Sequence, residues 1–143
     1  MKNPFILLVD DEEGFVEAIT RRLVKRDLNV ISAFSGLEAL ESLKNNKTID
    51  VVVLDVKMPG MDGIDTLKEI KKEFPLVEVI MLTAHATVET AIEGMKRGAF
   101  DYLMKPCEIE QLVSKVAEAT EKKRRHEEKI LEARLKEIAS RHG

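Results

Sequence analysis

Three aspartates, a threonine and a lysine stand at the ends of short apolar runs, and these residue types could together carry out phosphoryl chemistry. Asp10 and Asp11 follow the first run, Asp55 follows the third, Thr83 the fourth and Lys105 the fifth. Three carboxylates at one place repel one another, and a hard divalent cation with oxygen ligands relieves that repulsion. Mg²⁺ fits such a site because it keeps several waters and takes a phosphate oxygen.

The same residues supply each requirement of a phosphoryl acceptor. An aspartate carboxylate is a known type of covalent phosphoryl acceptor, and Asp55 is the candidate. A cation beside it would neutralise the incoming phosphoryl charge, which is the main task in phosphoryl transfer. Thr83 could donate a hydrogen bond to one phosphoryl oxygen, and Lys105 could pair with another. The alternative is structural: acidic residues also stabilise helix N-termini, and Asp55 could be a turn residue.

The apolar runs alternate with amphipathic stretches, which predicts five strand-helix repeats. Such alternation is typical of an α/β fold with a doubly wound parallel sheet and helices on both faces. Ligands of these sheets bind at the carboxyl ends of the strands, where the candidate residues stand. Strands are predicted at 5–9, 29–33, 50–54, 78–82 and 100–104. Helices are predicted at 14–25, 36–44, 63–74 and 88–97, with a last one from about 108.

Four predicted helices have an apolar face that should cover the sheet. The predicted faces comprise Phe15, Ala18, Ile19 and Leu23; Leu37, Leu40 and Leu43; Ile64, Leu67 and Ile70; and Val88, Ala91, Ile92 and Met95.

The last predicted helix is much longer than a sheet can cover. It runs from 108 to about 141 without Pro or Gly, roughly 50 Å at ~1.5 Å per residue. One apolar group lies near its start (Ile109, Leu112, Val113, Val116) and a second near its end (Ile130, Leu131, Leu135, Ile138). The stretch 121–129 between them has no apolar side chain. We therefore predict a domain at 1–120 and a helical extension at 121–143, either a coiled-coil linker or a solvated tail.

Composition limits the class of protein. The 143 residues are 44% apolar and 34% charged, which is ordinary for one soluble domain. No apolar run approaches the ~18 residues of a membrane span, and a single cysteine, Cys107, fits a reducing compartment. We therefore expect a cytoplasmic protein. Residues 115–143 carry 9 Lys/Arg against 6 Asp/Glu, too weak a positive balance to predict nucleic-acid binding.

Four motifs, each placed after a predicted strand, resemble those of response-regulator receiver domains from two-component systems. They are VDDEE (9–13), LDVKMPGMDG (54–63), LTAHA (82–86) and DYLMKP (101–106), and the resemblance covers residues 4 to about 120. It implies a flavodoxin-like sheet in the order 2-1-3-4-5. The sequence of residues 82–106 most resembles receivers of the NtrC-type sigma-54-dependent regulators.

The resemblance implies a metal site and an acceptor. Asp55 would be phosphorylated, Asp11 would bind Mg²⁺ directly, and Asp10 would act through a metal-bound water. Lys57 would offer its backbone carbonyl to the metal. The phosphoryl donor would be a sensor histidine kinase or a phosphotransfer protein. Such a domain accepts and slowly loses a phosphoryl group on its own aspartate, and is not an enzyme that turns over an external substrate.

The resemblance also implies how the signal leaves the site. Lys105 would pair with the phosphoryl group, and the Lys105–Pro106 bond would be cis. Thr83 and Tyr102 would form a switch pair that changes the surface of the fourth helix, fifth strand and fifth helix. Tyr102 could instead be a simple half-buried sheet residue. Asp62 is expected to cap the third helix, and His85 to be a solvated loop residue near the site. The long helix suggests a homodimer, with no nucleic acid or membrane as a direct partner.

Rival functions remain open on the sequence. A pseudo-receiver would bind partners without phosphorylation. A haloacid-dehalogenase-like phosphatase would also use an Asp nucleophile and Mg²⁺, but it needs a second Asp at the position of Lys57. The sequence contains no Walker-type GxxxxGK[ST] motif. A receiver that acts alone and a piece of a longer regulator are therefore both consistent with it.

Overall fold

The computed structural model describes residues 2–142, which form five strands and five helices in strict alternation. The strands are β1 (Phe5–Val9), β2 (Asn29–Ala33), β3 (Val51–Leu54), β4 (Glu78–Thr83) and β5 (Asp101–Met104). The helices are α1 (Glu13–Val24), α2 (Gly36–Asn45), α3 (Gly63–Glu73), α4 (Val88–Lys96) and α5 (Ile109–His142). Each bound lies within one residue of its predicted position, which is the ordinary uncertainty of helix and strand ends.

All five strands are parallel and lie in the order β2-β1-β3-β4-β5, so the predicted fold is confirmed. The order reverses at β1, which has β2 on one side and β3 on the other. Val9 is level with Leu54 in the register, and Leu54 is level with Met81. The residues that follow these strands therefore meet at the carboxyl edge of the sheet, on both sides of the reversal point.

The core has two halves, one on each face of the sheet. Successive residues of a strand point to opposite faces, and in β1 Leu7 contributes to one half and Leu8 to the other. One half is closed by α2 and α3, and the second by α1 and α5. Because both faces are covered, β3 and β4 are buried at every position.

The buried faces of three helices, α1, α2 and α4, differ from their predicted residues. Leu37 was expected inward, yet it is 68% exposed. Residues spaced by three drift by about 60° per step at 3.6 residues per turn, so Leu37 lies about 120° from Leu43. Ala18 is also exposed, whereas Val16 joins Ile19 and Leu23 inside. The buried face of α1 therefore follows a three-four spacing.

Helix α4 differs most from its predicted face. Val88, Ile92 and Met95 are all exposed, and the only buried residue of α4 is Gly94. The ring of Tyr102 packs against Gly94: a Cβ added to this glycine would lie 3.5 Å from the ring. Helix α4 thus presents an apolar surface outward and packs through its smallest residue.

Helix α5 continues past the sheet as one uninterrupted helix, as predicted. Its buried residues include Thr120 and Lys123, which lie beyond the last apolar contacts with the sheet. Farther along, Leu131, Leu135 and Ile138 are more than half exposed. The division into a domain at 1–120 and an extension at 121–143 stays a prediction. Within residues 2–142, no helix is both long and apolar enough to cross a membrane.

Candidate functional site

Three aspartates meet at the carboxyl edge of the sheet. Asp10 and Asp55 are buried and Asp11 is exposed, and one carboxylate oxygen from each lies within 4.8 Å of the other two. Hard divalent cations such as Mg²⁺ take oxygen ligands of this type. These carboxylate ligands therefore fit the predicted Mg²⁺ ion, and the exposed Asp11 lies on the solvent side of the cluster.

Backbone contacts fix Asp55. Its N–H donates to the carbonyl of Val9 at 3.0 Å, which ties the residue after β3 to the end of β1. Its Oδ1 accepts the Val56 N–H at 2.8 Å. One carboxylate oxygen is thus held in place, and Oδ2 remains free to face the other charged groups.

A close backbone approach brings the start of α3 under Asp55. The N–H of Gly63 donates to the carbonyl of Val56 at 2.7 Å, and a Cβ on Gly63 would lie 2.0 Å from the backbone oxygen of Asp55. Only glycine leaves room for this approach. Asp62 caps α3 as predicted, since its side chain accepts the N–H of Asp65. The loop between Asp55 and α3 is therefore held by the close packing of Gly63 and by the Asp62 cap.

Asp10 combines burial with an ion pair. Burial raises the pKa of its carboxyl group, while the hydrogen bond from Lys105 and the N–H of Glu12 oppose that rise. The nearby charge of Asp55 raises the Asp10 pKa further. Desolvation and the negative charge of Asp55 therefore destabilise the ionised form of Asp10, and a bound cation would stabilise it.

Lys105 points its ammonium into this acidic cluster. Its Nζ lies 2.6 Å from Asp10 Oδ2, 3.8 Å from a Glu12 oxygen and 4.0 Å from Asp55 Oδ2. The Lys105–Pro106 bond is cis, as the sequence resemblance implied. The ammonium also lies over the ring of Phe15, 3.8 Å from its centroid. The lysine is thus positioned between the two buried aspartates.

The predicted switch residues lie on the β4-β5 side of the site. Thr83 is fully buried and its Oγ1 accepts the N–H of His85 at 3.0 Å. Tyr102 is half-buried, and its hydroxyl lies 2.7 Å from Thr90 Oγ1 in α4. Tyr102 therefore contacts α4 directly, whereas Thr83 contacts the segment that leads from β4 into α4.

A shallow cleft of about 410 Å³ gives access to the site. Its lining residues are Asp11, Glu12, Asp55, Lys57, Met58, Pro59, Asp62 and His85. A larger cavity of about 620 Å³ lies at the opposite edge of the sheet, beside Asp50 and Lys123. Asp11 and Asp55 line the smaller cleft and not the larger cavity, so the candidate site is at the smaller cleft.

The comparisons with known proteins agree with this geometry. The family described as the response regulator receiver domain matches residues 6–117. The chain belongs to the response regulator receiver family. Receiver domains of this family bind Mg²⁺ through an acidic pocket, and the Asp10, Asp11 and Asp55 cluster matches that description.

Curated relatives are NtrC-like regulators. The chain is 39% identical over 119 residues to the DNA-binding transcriptional regulator NtrC of Escherichia coli K12, covering 83% of this chain and 25% of the relative. It is 43% identical over 107 residues to the transcriptional regulatory protein ZraR of Salmonella typhimurium LT2, covering 75% and 24%. The chain thus spans about a quarter of the length of these relatives.

Solved receiver structures have the same fold. A receiver domain protein from Clostridium thermocellum is 39% identical with a TM-score of 0.81, covering 85% of this chain and 97% of that one. The receiver domain of NtrX from Brucella abortus is 32% identical with a TM-score of 0.76, covering 81% and 98%. The resemblance to NtrC-type receivers is therefore confirmed.

The structure assembles most of the predicted site residues and adds others. Asp10, Asp11, Asp55 and Lys105 are brought together, whereas the Lys57 side chain is exposed at the cleft. The sequence analysis assigned no individual role in the site to Glu12, Phe15 or Gly63. The signals for Gly63 were its place at the end of the motif LDVKMPGMDG and directly after a capping aspartate. Phe15 was predicted only as a residue of a helix face.

Proposed function

We propose that this receiver is a phosphoacceptor switch whose acceptor is Asp55. The observation that carries the proposal is the setting of the Asp55 carboxylate. Its Oδ1 is held by a backbone N–H, and its Oδ2 faces the Lys105 ammonium at 4.0 Å. An oriented carboxylate beside the Lys105 ammonium, in a cluster of aspartates with the donor atoms that Mg²⁺ takes, suits attack on a phosphoryl group. The donor is a histidine kinase or a phosphotransfer protein.

In the proposed step, Asp55 Oδ2 attacks the phosphorus of a phosphohistidine in line. A new oxygen–phosphorus bond forms, the nitrogen–phosphorus bond breaks, and the electron pair stays on the donor imidazole. Lys105 stabilises the charge of the phosphoryl oxygens, and Thr83 donates a hydrogen bond to one of them. Mg²⁺, bound by Asp11, Asp55, the Lys57 carbonyl and a water on Asp10, would supply further neutralisation of that charge.

The phosphoryl group then shifts the domain between two existing states. Thr83 and Tyr102 are the proposed switch pair: Tyr102 contacts Thr90 of α4, and Thr83 accepts the N–H of His85 in the segment before α4. The exposed Val88, Ile92 and Met95 form the apolar surface that would change. Moving such an equilibrium fully takes about 5.5 kcal/mol. Two or three charge-assisted hydrogen bonds at roughly 1.5–3 kcal/mol each add up to about 3–9 kcal/mol, a range that includes this value.

The test is the intact mass of the protein after incubation with acetyl phosphate and Mg²⁺. We expect a gain of one phosphoryl mass, roughly 80 Da, that is prevented by EDTA. The same incubation with excess Ca²⁺ in place of Mg²⁺ should give less product, because the larger ion prefers more ligands at longer distances. Absence of the gain with every donor, including a phosphorylated histidine kinase, would leave a pseudo-receiver that binds partners without phosphorylation.

We further propose that the switch controls a transcription-linked output in the cytoplasm. NtrC and ZraR are named as transcriptional regulators, and NtrC as DNA-binding. Their matched portion is about a quarter of their length, so the output itself lies outside the similarity. The domain would act as a regulator and not as an enzyme that turns over an external substrate.

A second proposed partner is another copy of this chain, through the end of α5. Leu131, Leu135 and Ile138 follow a four-three spacing, which is the a/d spacing of a coiled coil, and all three are exposed. The preceding positions of the same seam are Arg124 and Glu128, so the apolar seam is short. We therefore expect a weak dimer that forms only at high protein concentration.

Leu135→Asp should abolish this dimer, because it places a charge in the centre of the seam. The measurement is sedimentation velocity over a concentration series, with and without phosphorylation. Ala133→Asp is the matched control: it adds the same charge on the outer face of the same exposed helix and should leave association unchanged. If the wild-type chain stays monomeric at every concentration, with and without phosphorylation, the result would favour the hypothesis that the end of α5 is a solvated tail.

A further inference from the structure

We propose that Phe15 is a positioning residue for Lys105. Its ring would hold the ammonium at the carboxyl edge of the sheet, where Lys105 meets the acceptor. This inference rests on the proposed function of Asp55, and it assigns a role to a residue of α1 that otherwise looks like part of the core.

The contact is close and of the right kind. Lys105 Nζ lies 3.8 Å from the centroid of the Phe15 ring. An ammonium within ~6 Å of a ring centroid is attracted by the negative face of the ring. Phe15 is half-buried and packs on the core half closed by α1 and α5, which fixes the ring in place. The Phe15 ring can therefore restrict where the Lys105 ammonium lies.

Three carboxylates also lie within 4.0 Å of the Lys105 ammonium. Asp10 accepts the hydrogen bond of Lys105 at 2.6 Å, and Glu12 and Asp55 lie farther away, at 3.8 and 4.0 Å. The lysine side chain is only 11% exposed, although its stem is long and flexible. With a phosphoryl group on Asp55, the ammonium must move from Asp10 toward that group. The ring keeps a partner for the cation during that move.

A comparison inside the same protein shows that the contact at Phe15 is the closer one. Lys122 lies over the ring of Phe100, but at 5.7 Å from the centroid, and the lysine side chain is 46% exposed. That pair is at the opposite end of the domain from Asp55. Phe100 also packs on the same half of the core as Phe15. It therefore provides a matched control for losing a half-buried ring.

The experiment compares Phe15→Leu, Phe15→Tyr and Phe100→Leu with the wild type. We expect phosphorylation by acetyl phosphate to be roughly threefold to tenfold slower in Phe15→Leu. Phe15→Tyr keeps an aromatic face and should restore most of the rate. Phe100→Leu should phosphorylate at the wild-type rate. The free energy of unfolding of each variant separates loss of packing from loss of position.

A second readout does not depend on phosphorylation. The Hε protons of Lys105 should have upfield NMR shifts from the ring current of Phe15, assigned with Lys105→Arg. These shifts should be lost in Phe15→Leu and kept in Phe15→Tyr. Equal rates in Phe15→Leu and the wild type, equal loss in the Leu and Tyr variants, or no upfield shift in the wild type would each overturn the proposal. If the wild type shows the shift but takes no phosphoryl group, the function of Asp55 fails and the ring contact stands.

Discussion

Replacing Asp55 with asparagine is expected to abolish the gain of phosphoryl mass while the protein stays folded. An amide is a far poorer nucleophile than a carboxylate, so we expect the rate to fall by roughly a thousandfold or more. Asparagine has the shape of aspartate, and its oxygen can still accept the Val56 N–H. The variant also removes one of three clustered negative charges, so its free energy of unfolding should equal or exceed that of the wild type.

The measurement is intact mass after acetyl phosphate and Mg²⁺, together with urea unfolding of both proteins. Asp62→Asn is the matched control, because Asp62 lines the same cleft and the substitution is of the same type. Asparagine caps helices about as well as aspartate, so this variant should fold and gain the phosphoryl mass normally. A phosphoryl gain in Asp55→Asn would move the acceptor to another residue of the cluster, such as Asp10 or Asp11.

At the opposite edge of the sheet, Asp50→Ala should lower the free energy of unfolding by about 3–5 kcal/mol. Asp50 is buried and accepts three hydrogen bonds: from the Phe5 N–H at 2.9 Å, from Lys123 Nζ at 3.2 Å and from Arg124 Nη2 at 3.1 Å. Alanine would leave the buried Lys123 with Glu127 alone, at 3.3 Å. Breaking one side of a buried ion pair leaves an uncompensated charge, which is far more costly than losing an exposed pair.

Urea unfolding of Asp50→Ala and of the double variant Asp50→Ala/Lys123→Met tests this expectation. The double variant removes the stranded ammonium and keeps an apolar stem of similar length. We expect it to recover a large part of the lost free energy, since replacing a whole buried pair by apolar groups is often neutral. Glu127→Ala removes only the half-exposed partner and should cost less than about 1 kcal/mol. A loss below about 1 kcal/mol in Asp50→Ala would contradict the role of this network.

Much of the fold could be predicted because apolar periodicity and strand ends are local signals. After its aspartate, the run 50–54 consists of three β-branched valines and a leucine, which is typical of a strand buried on both faces. The strand-helix alternation then requires a parallel sheet, and a parallel sheet brings its carboxyl ends to one edge. This is why the meeting of Asp10, Asp55 and Lys105 could be expected before any distance was known.

Some features could not be predicted because they depend on neighbours that are distant in the sequence. The stretch 121–129 looks solvated, yet Lys123 is buried because α5 passes Asp50 at the start of β3. Conversely, Val88 has the residue type of a core position but is exposed, since Gly94 is the residue of α4 that packs inward. Helical periodicity identifies an apolar face, but not whether another element covers it.

The sequence by itself determined the sheet, the order of its elements and the set of charged residues at one edge, since each rests on local patterns and on motifs. Only the tertiary structure decided how those residues are held. It placed the ring of Phe15 against Lys105 across 90 positions of sequence, and the backbone of Asp55 against Gly63 at a distance that admits no side chain. The physical reason is that such contacts depend on the packing of whole helices against the sheet, to within about an ångström, and no local pattern encodes that distance.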